Sequence, residues 1–194
     1  MSGKKKQGII LASASPRRKQ LMKMAGLKFT VVPADIPEII PDGLPAEKES
    51  VYLAGIKAGY ILSENPDDLI VGADTTVICE GRVLGKPRDK AEAKEMLRFL
   101  SGKVHEVYTG VAIVSEEVNE AFTSVTKVEF YELTDEEIDW YVSTGEPMDK
   151  AGAYGIQGVG CRLVKRIEGD YFTVMGLPVA EVARRIEKIR KDAE

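Results

Sequence analysis

One histidine, two cysteines and one tryptophan in 194 residues remove several chemistries at the outset. Cys79 and Cys161 match no paired metal-ligand spacing, so both thiols read as small core residues of a reducing compartment. A Ser-His-Asp or Cys-His mechanism would depend wholly on His105, which falls in an expected strand with no companion ligand nearby. It reads as a packing or hydrogen-bonding residue, while titration near neutral pH keeps a catalytic role open. No run approaches the roughly 18 to 20 apolar residues of a membrane span. Lys4, Lys5 and Lys6 resemble the start of a secretory signal, but the apolar run behind them is only about six residues, too short for a signal core. A cytoplasmic location is therefore expected. A basic surplus is missing too: the net charge of −4 argues against nucleic-acid binding through a broad basic surface and leaves room for a local basic pocket.

What is present suits, over residues 1–194, one soluble globular domain or two closely joined lobes with a sizeable core: 44% of residues are hydrophobic and 30% charged. Alternating element types predict an α/β fold. A strand over 8–13, a helix over 16–25 closed by Gly26, and a strand over 29–32 come first. Pro33 to Pro45 holds four prolines and reads as a functional loop carrying Glu38. A helix over 47–63 follows, with Lys57 expected on the margin of its apolar face, where a long stem can carry the ammonium into a cleft. The next strand is expected over 69–73, with Asp74 just past its carboxyl end, where open α/β sheets bind ligands. A hairpin tip at 80–83 and a helix over 90–100 lead to two long antiparallel strands, 104–115 and 121–131, and hence to a mixed sheet. Thr134 caps a helix ending near 143. A glycine-rich stretch over 150–160, a strand over 161–167 and a helix after Pro178 complete the chain.

The segment Ser13-Ala-Ser-Pro-Arg-Arg18 is the first with chemical content. Ser15 suits the N-cap and Pro16 the first helical position. Carboxylates belong in such a first turn, yet Arg17 and Arg18 stand there, at a cost of roughly 0.3 to 1 kcal/mol each. An anion binding the arginines and the free N–H groups together explains them, and a phosphate chain is the obvious one. Two solvated surface arginines are the alternative. Gly81 to Pro87 is one residue short of the P-loop spacing, with proline where Ser or Thr is needed, and Gly158-x-Gly160 lacks a following helix. Neither is a nucleotide motif. Four cations (Arg17, Arg18, Lys57 and Lys86) and two carboxylates (Asp74 and Glu38) recur at element ends or margins, the set that a metal-bound polyphosphate would need.

Seven segments in order, LASASPRR (11–18), LAGIKA (53–58), VGADTTV (71–77), GKPRDKAEA (85–93), LSGKVHEVYTGV (100–111), EPMDKAGAYGIQG (146–158) and GLP (176–178), resemble the Maf family of nucleoside triphosphate pyrophosphatases. The resemblance implies an inosine triphosphate pyrophosphatase-like α/β fold, a long curved mixed sheet dividing two lobes with a central cleft. It also implies Mg²⁺- or Mn²⁺-dependent hydrolysis of nucleoside triphosphates between the α and β phosphates. By position, Asp74 corresponds to the proton acceptor, and Ser13, Arg17, Arg18, Lys57 and Lys86 to phosphate-site residues. Glu38 corresponds to an acidic residue near metal and water, and Asp74 is also expected at the metal. Arg18, Thr75 and Gln157 resemble the branch acting on dTTP and UTP; a Gln amide offers both a donor and an acceptor to a pyrimidine edge. The family is also linked to inhibition of septum formation, so a nucleotide-binding regulator is the alternative. The expected partner is the nucleotide, with neither nucleic acid nor membrane; a homodimer is one expectation for the oligomeric state.

Overall fold

Three long strands form the spine of the structure, a computed structural model that describes residues 8–192. The Lys4–Lys6 run lies outside the described residues. β3 (Leu69–Cys79), β5 (Val104–Val114) and β6 (Asn119–Phe130) are rich in β-branched residues and pair antiparallel along most of their length. The chain begins with β1 (Ile9–Leu11), α1 (Pro16–Met24) and β2 (Thr30–Val31), and β1 pairs in parallel with both β2 and β3. β4 (Arg82–Leu84) folds back on β3 through Glu80 and Gly81, whose φ values of 50° and 75° suit a type I′ hairpin turn. With β7 (Val164–Glu168) outermost, the seven-stranded mixed sheet runs β2-β1-β3-β5-β6-β7, with β4 on β3. This is the α/β mixed-sheet architecture expected above.

One edge of β3 is shared and incompletely covered. β1 pairs with it at Leu69–Val71 and β4 at Val77–Cys79, leaving the stretch between without a strand neighbour. Ala12 N–H bonds to Val71 C=O on this edge, so strand alternation turns the backbone groups of Ala73 and Thr75 the same way, into the gap.

The helices divide the core accordingly. On one face, α1 and α6 (Val179–Asp192) pack over Leu11, Val71 and Ala73, while α3 (Lys90–Leu100) and α4 (Asp135–Ser143) pack over Val77, Cys79 and Val107. Thr75 is the residue of β3 on that face between the two clusters. α2 (Ala46–Glu64) packs against the opposite face with Ile10, Ile70 and Ala112. It can do so only because Gly72 and Gly110 lack side chains. A Cβ at Gly72 would lie 2.4 Å from the Ala54 carbonyl oxygen, and one at Gly110 would lie 2.1 Å from Val51 N.

Several expectations change. β3 does not end at Ala73: the β-branched run Thr75-Thr76-Val77-Ile78 extends it to Cys79, so Asp74 lies mid-strand beside the gap and not past a strand's end. Lys57 is not marginal. The buried stripe of α2 is Ser50, Leu53, Ala54, Lys57, Ala58 and Ile61, which puts the lysine at its centre. Residues 158–162 form a 3-10 turn before β7, which leaves Cys161 exposed while Cys79 is buried. A short helix, α5 (Tyr171–Met175), capped by Asp170 and closed by Gly176 at φ 105°, was not expected. Among the described residues no helix is long and apolar enough to cross a membrane.

Candidate active site

The gap along β3 opens into a cleft of about 380 Å³, lined by Ser13, Arg17, Arg18, Glu38, Lys57, Asp74, Thr75, Lys86 and Gln157 among others. The nine expected site residues, Ser13, Arg17, Arg18, Glu38, Lys57, Asp74, Thr75, Lys86 and Gln157, are therefore brought to one cavity, from both sides of the sheet. The strand alternation that sends Asp74 towards α2 sends Thr75 towards α1, and the missing neighbour strand lets both border the same space.

On the α2 side, Lys57 Nζ lies 2.7 Å from Asp74 Oδ1 and 2.6 Å from Glu38 Oε1. The lysine side chain is only 10% exposed, and its two carboxylate partners offset the cost of burying its charge. Burial pushes the Glu38 carboxyl up, but the Lys57 hydrogen bond and charge, helped by Lys86 and Arg18, outweigh it and hold the group below its ordinary value.

On the α1 side, Ser15 caps the helix by accepting the Arg18 N–H, Pro16 takes the first position, and no acidic residue stands in the first turn. The two arginines then diverge. Arg18 donates from Nε to the Gly176 carbonyl (2.8 Å), from Nη1 to Ser13 Oγ (3.1 Å) and from Nη2 to Thr75 Oγ1 (3.2 Å). Thr109 spends its hydroxyl proton on the Thr173 carbonyl (2.8 Å), so Thr75 donates to Thr109 (3.0 Å) and presents only lone pairs to Arg18. A one-way chain thus fixes Arg18 on β3 and α5. Burial lowers the Arg18 guanidinium below its ordinary value, with Asp74 opposing, yet an arginine stays charged. Arg17 instead reaches across the cleft to Asp149 Oδ2 at 3.0 Å.

Lys86, exposed beyond β4, and Gln157, half-buried in the glycine-rich segment, complete the far wall. Sequence reasoning missed Asp149, Lys150 and Tyr154, which also line the cleft. Their signal was their place in the EPMDKAGAY stretch, too short of regular periodicity to show which side chains face inward. His105, by contrast, is buried behind Tyr154, with Nε2 2.7 Å from its hydroxyl, and takes the packing role.

A cavity lined by Arg17, Arg18 and Lys86 beside two paired carboxylates defines an α/β protein with a cleft suited to a small, strongly anionic molecule. The chain belongs to the Maf family: residues 8–189 match the family of Maf-like proteins. It is 49% identical over 184 residues to a dTTP/UTP pyrophosphatase of Bacillus anthracis, covering 95% of this chain and 96% of that protein. A Bacillus cereus protein of the same name is 47% identical over 190 residues, covering 98% and 94%. Among solved structures, a HAM1 protein from Coxiella burnetii shares the fold at 15% identity and a TM-score of 0.53, covering 94% of this chain and 99% of that one.

Proposed function

We propose that this protein hydrolyses nucleoside triphosphates between the α and β phosphates, releasing a nucleoside monophosphate and pyrophosphate, with dTTP, UTP and modified pyrimidine nucleotides as substrates. The carrying observation is the convergence of Asp74 and Glu38 on Lys57 inside a cleft walled by Arg17, Arg18 and Lys86. The names of the Bacillus relatives support the substrate class.

In this reading Arg17, Arg18 and Lys86 hold the phosphate oxygens together with Ser13, the first turn of α1, and the free N–H groups of β3. Oδ1 of Asp74 is held by Lys57, so Oδ2 is the atom that accepts a proton from the attacking water. The water's oxygen bonds to phosphorus as the bridging oxygen leaves with pyrophosphate. Neutralising the charge that develops on the leaving group is the largest contribution, since one such contact typically carries about 10² to 10³ in turnover. Gln157 reads the pyrimidine, and Thr75 acts through Arg18, whose orientation it fixes.

A divalent cation, Mg²⁺ or Mn²⁺, suits the donor set. Glu38 and Asp74 meet at a single cationic position, and among the described residues no third His, Cys, Asp or Glu joins them. Two carboxylates fit a hard ion whose shell is completed by phosphate oxygens and water. When bound, it would neutralise phosphate charge. A regulator without turnover would explain the cations and leave this pair of carboxylates only the pairing of buried Lys57 as a task. The cleft lies within a single domain, and a cytoplasmic nucleotide pool is the expected source of substrate.

Product analysis tests the reading. Incubation with dTTP, UTP, CTP and GTP, with each metal in turn, is expected to release pyrophosphate and monophosphate from dTTP and UTP in preference to CTP and GTP; orthophosphate as the first product would refute it. Asp74→Asn is expected to lower kcat by about 10² to 10⁴ with the thermal midpoint kept. Near-normal turnover would remove Asp74 from its role.

A further inference from the structure

We infer that Glu146 and Tyr141 are a positioning pair for the segment carrying Gln157, and that through it they set selectivity for the base; this rests on the reading of Gln157 given above. Residues 154–157 lie outside any helix or strand, so no regular ladder holds them. The segment is instead fastened at both ends to one carboxylate and one phenol. Tyr141, fully buried in α4, accepts the Gly155 N–H at 3.1 Å and donates its own proton to Glu146 Oε1 at 3.0 Å. Glu146 Oε1 also accepts the Gly160 N–H at 3.1 Å, and Oε2 accepts the Val159 N–H at 3.2 Å. Gln157 sits between these anchors.

The chemistry of the pair follows from counting protons. Three donors point at the Glu146 side chain, which only an ionised carboxylate can accept throughout; a glutamine would turn its NH₂ against one of them. The fit is tight as well. A Cβ at Gly158 would lie 2.6 Å from Glu146 Oε2, and one at Gly160 would lie 2.2 Å from the Gly155 carbonyl oxygen. On either side of Gln157's anchor, Tyr154 packs into the α3/α4 cluster and Ile156 into the α1/α6 cluster, so a shift of this segment is felt where the base must seat. The carboxylate's partners belong to α4 and to the segment itself, which separates its effect from the phosphate-holding half of the cleft.

Steady-state kinetics on dTTP, UTP and CTP, with inorganic pyrophosphate as a competitive inhibitor, tests this. Glu146→Gln is expected to raise KM for dTTP and UTP about tenfold, keep kcat within about twofold, narrow the preference over CTP, and leave pyrophosphate inhibition unchanged. Tyr141→Phe preserves the buried ring and should move KM the same way, which keeps the test open if the glutamine variant does not fold. Gln157→Ala should give the same shift, and the double variant no further one. Unchanged KM in Glu146→Gln and Tyr141→Phe beside an affected Gln157→Ala overturns the inference alone. Losses shared equally by kcat, every nucleotide and pyrophosphate, or additive losses in the double variant, overturn it too. A Gln157→Ala protein that keeps the preference for dTTP and UTP over CTP overturns the underlying base reading and this inference with it.

Discussion

Lys57 joins two carboxylates on one buried ammonium, so a single side chain holds Asp74 and Glu38 together. His105 shows what burial does to a side chain away from the cleft. Its ring meets the edges of Phe130 and Tyr154, Nδ1 has no partner among the described residues, and burial lowers the imidazole from 6.5 to about 4. The unfolded chain therefore takes up this proton near pH 6.5 and the folded chain only near 4. Its contribution to stability is complete above the higher value and is lost as pH falls through the window, by roughly 2 kcal/mol between about pH 7 and pH 5. Urea midpoints at those two pH values measure it, and His105→Gln is expected to flatten the difference. A variant as pH-sensitive as the parent would assign the effect to other groups.

Among the elements, α2 and β3 decide the site. Lys57 reaches Asp74 because Gly72 and Gly110 let the helix lie directly on the strands, and Gly110 stands opposite Asp74 in the sheet register. Gly110→Ala is expected to destabilise the fold by roughly 1 to 3 kcal/mol through overpacking and to lower turnover as Lys57 is pushed away. Gly59→Ala, in the same helix with open space around it, should raise stability by up to about 1 kcal/mol. Thermal midpoints of the two variants moving together would contradict this account of the helix seat. The start of α1 is readable from the sequence because Ser15 and Pro16 are local signals, as is a hairpin tip over 80–83, which the structure narrows to Glu80 and Gly81. The length of β3 was not: a charged residue after an apolar run reads as an end, and only the missing neighbour strand explains how a strand carries Asp74 at its middle.

For the whole molecule, the Arg17–Asp149 pair joins α1 to the 3-10 turn just before the glycine-rich segment, across the cleft and over a sequence separation of 132 residues. Burial pushes the Asp149 carboxyl up, but Lys150 and Arg17 outweigh it and hold the group below its ordinary value. Asp149 is 60% exposed, so the pair adds little to stability, about 0 to 1 kcal/mol. On the proposed phosphate-holding role of Arg17, the pair's larger effect is competition, because a triphosphate would take Arg17 from Asp149. Asp149→Asn is expected to lower KM for the triphosphate severalfold with the thermal midpoint nearly unchanged. An unaltered or higher KM would show that Arg17 is not contested.

By itself, the sequence determined the alternation of elements, the capped start of α1 with its two misplaced arginines, and the identities of the charged residues that line the cleft. These are matters of local spacing and of charge against backbone dipole, which neighbouring residues settle. Only the tertiary structure decided that Lys57 is central and not marginal, that Arg17 and Arg18 have different partners, and that one carboxylate fastens the Gln157 segment. Those outcomes depend on an unpaired stretch of sheet edge and on glycines that admit a helix, contacts between residues far apart in the chain that no local pattern records.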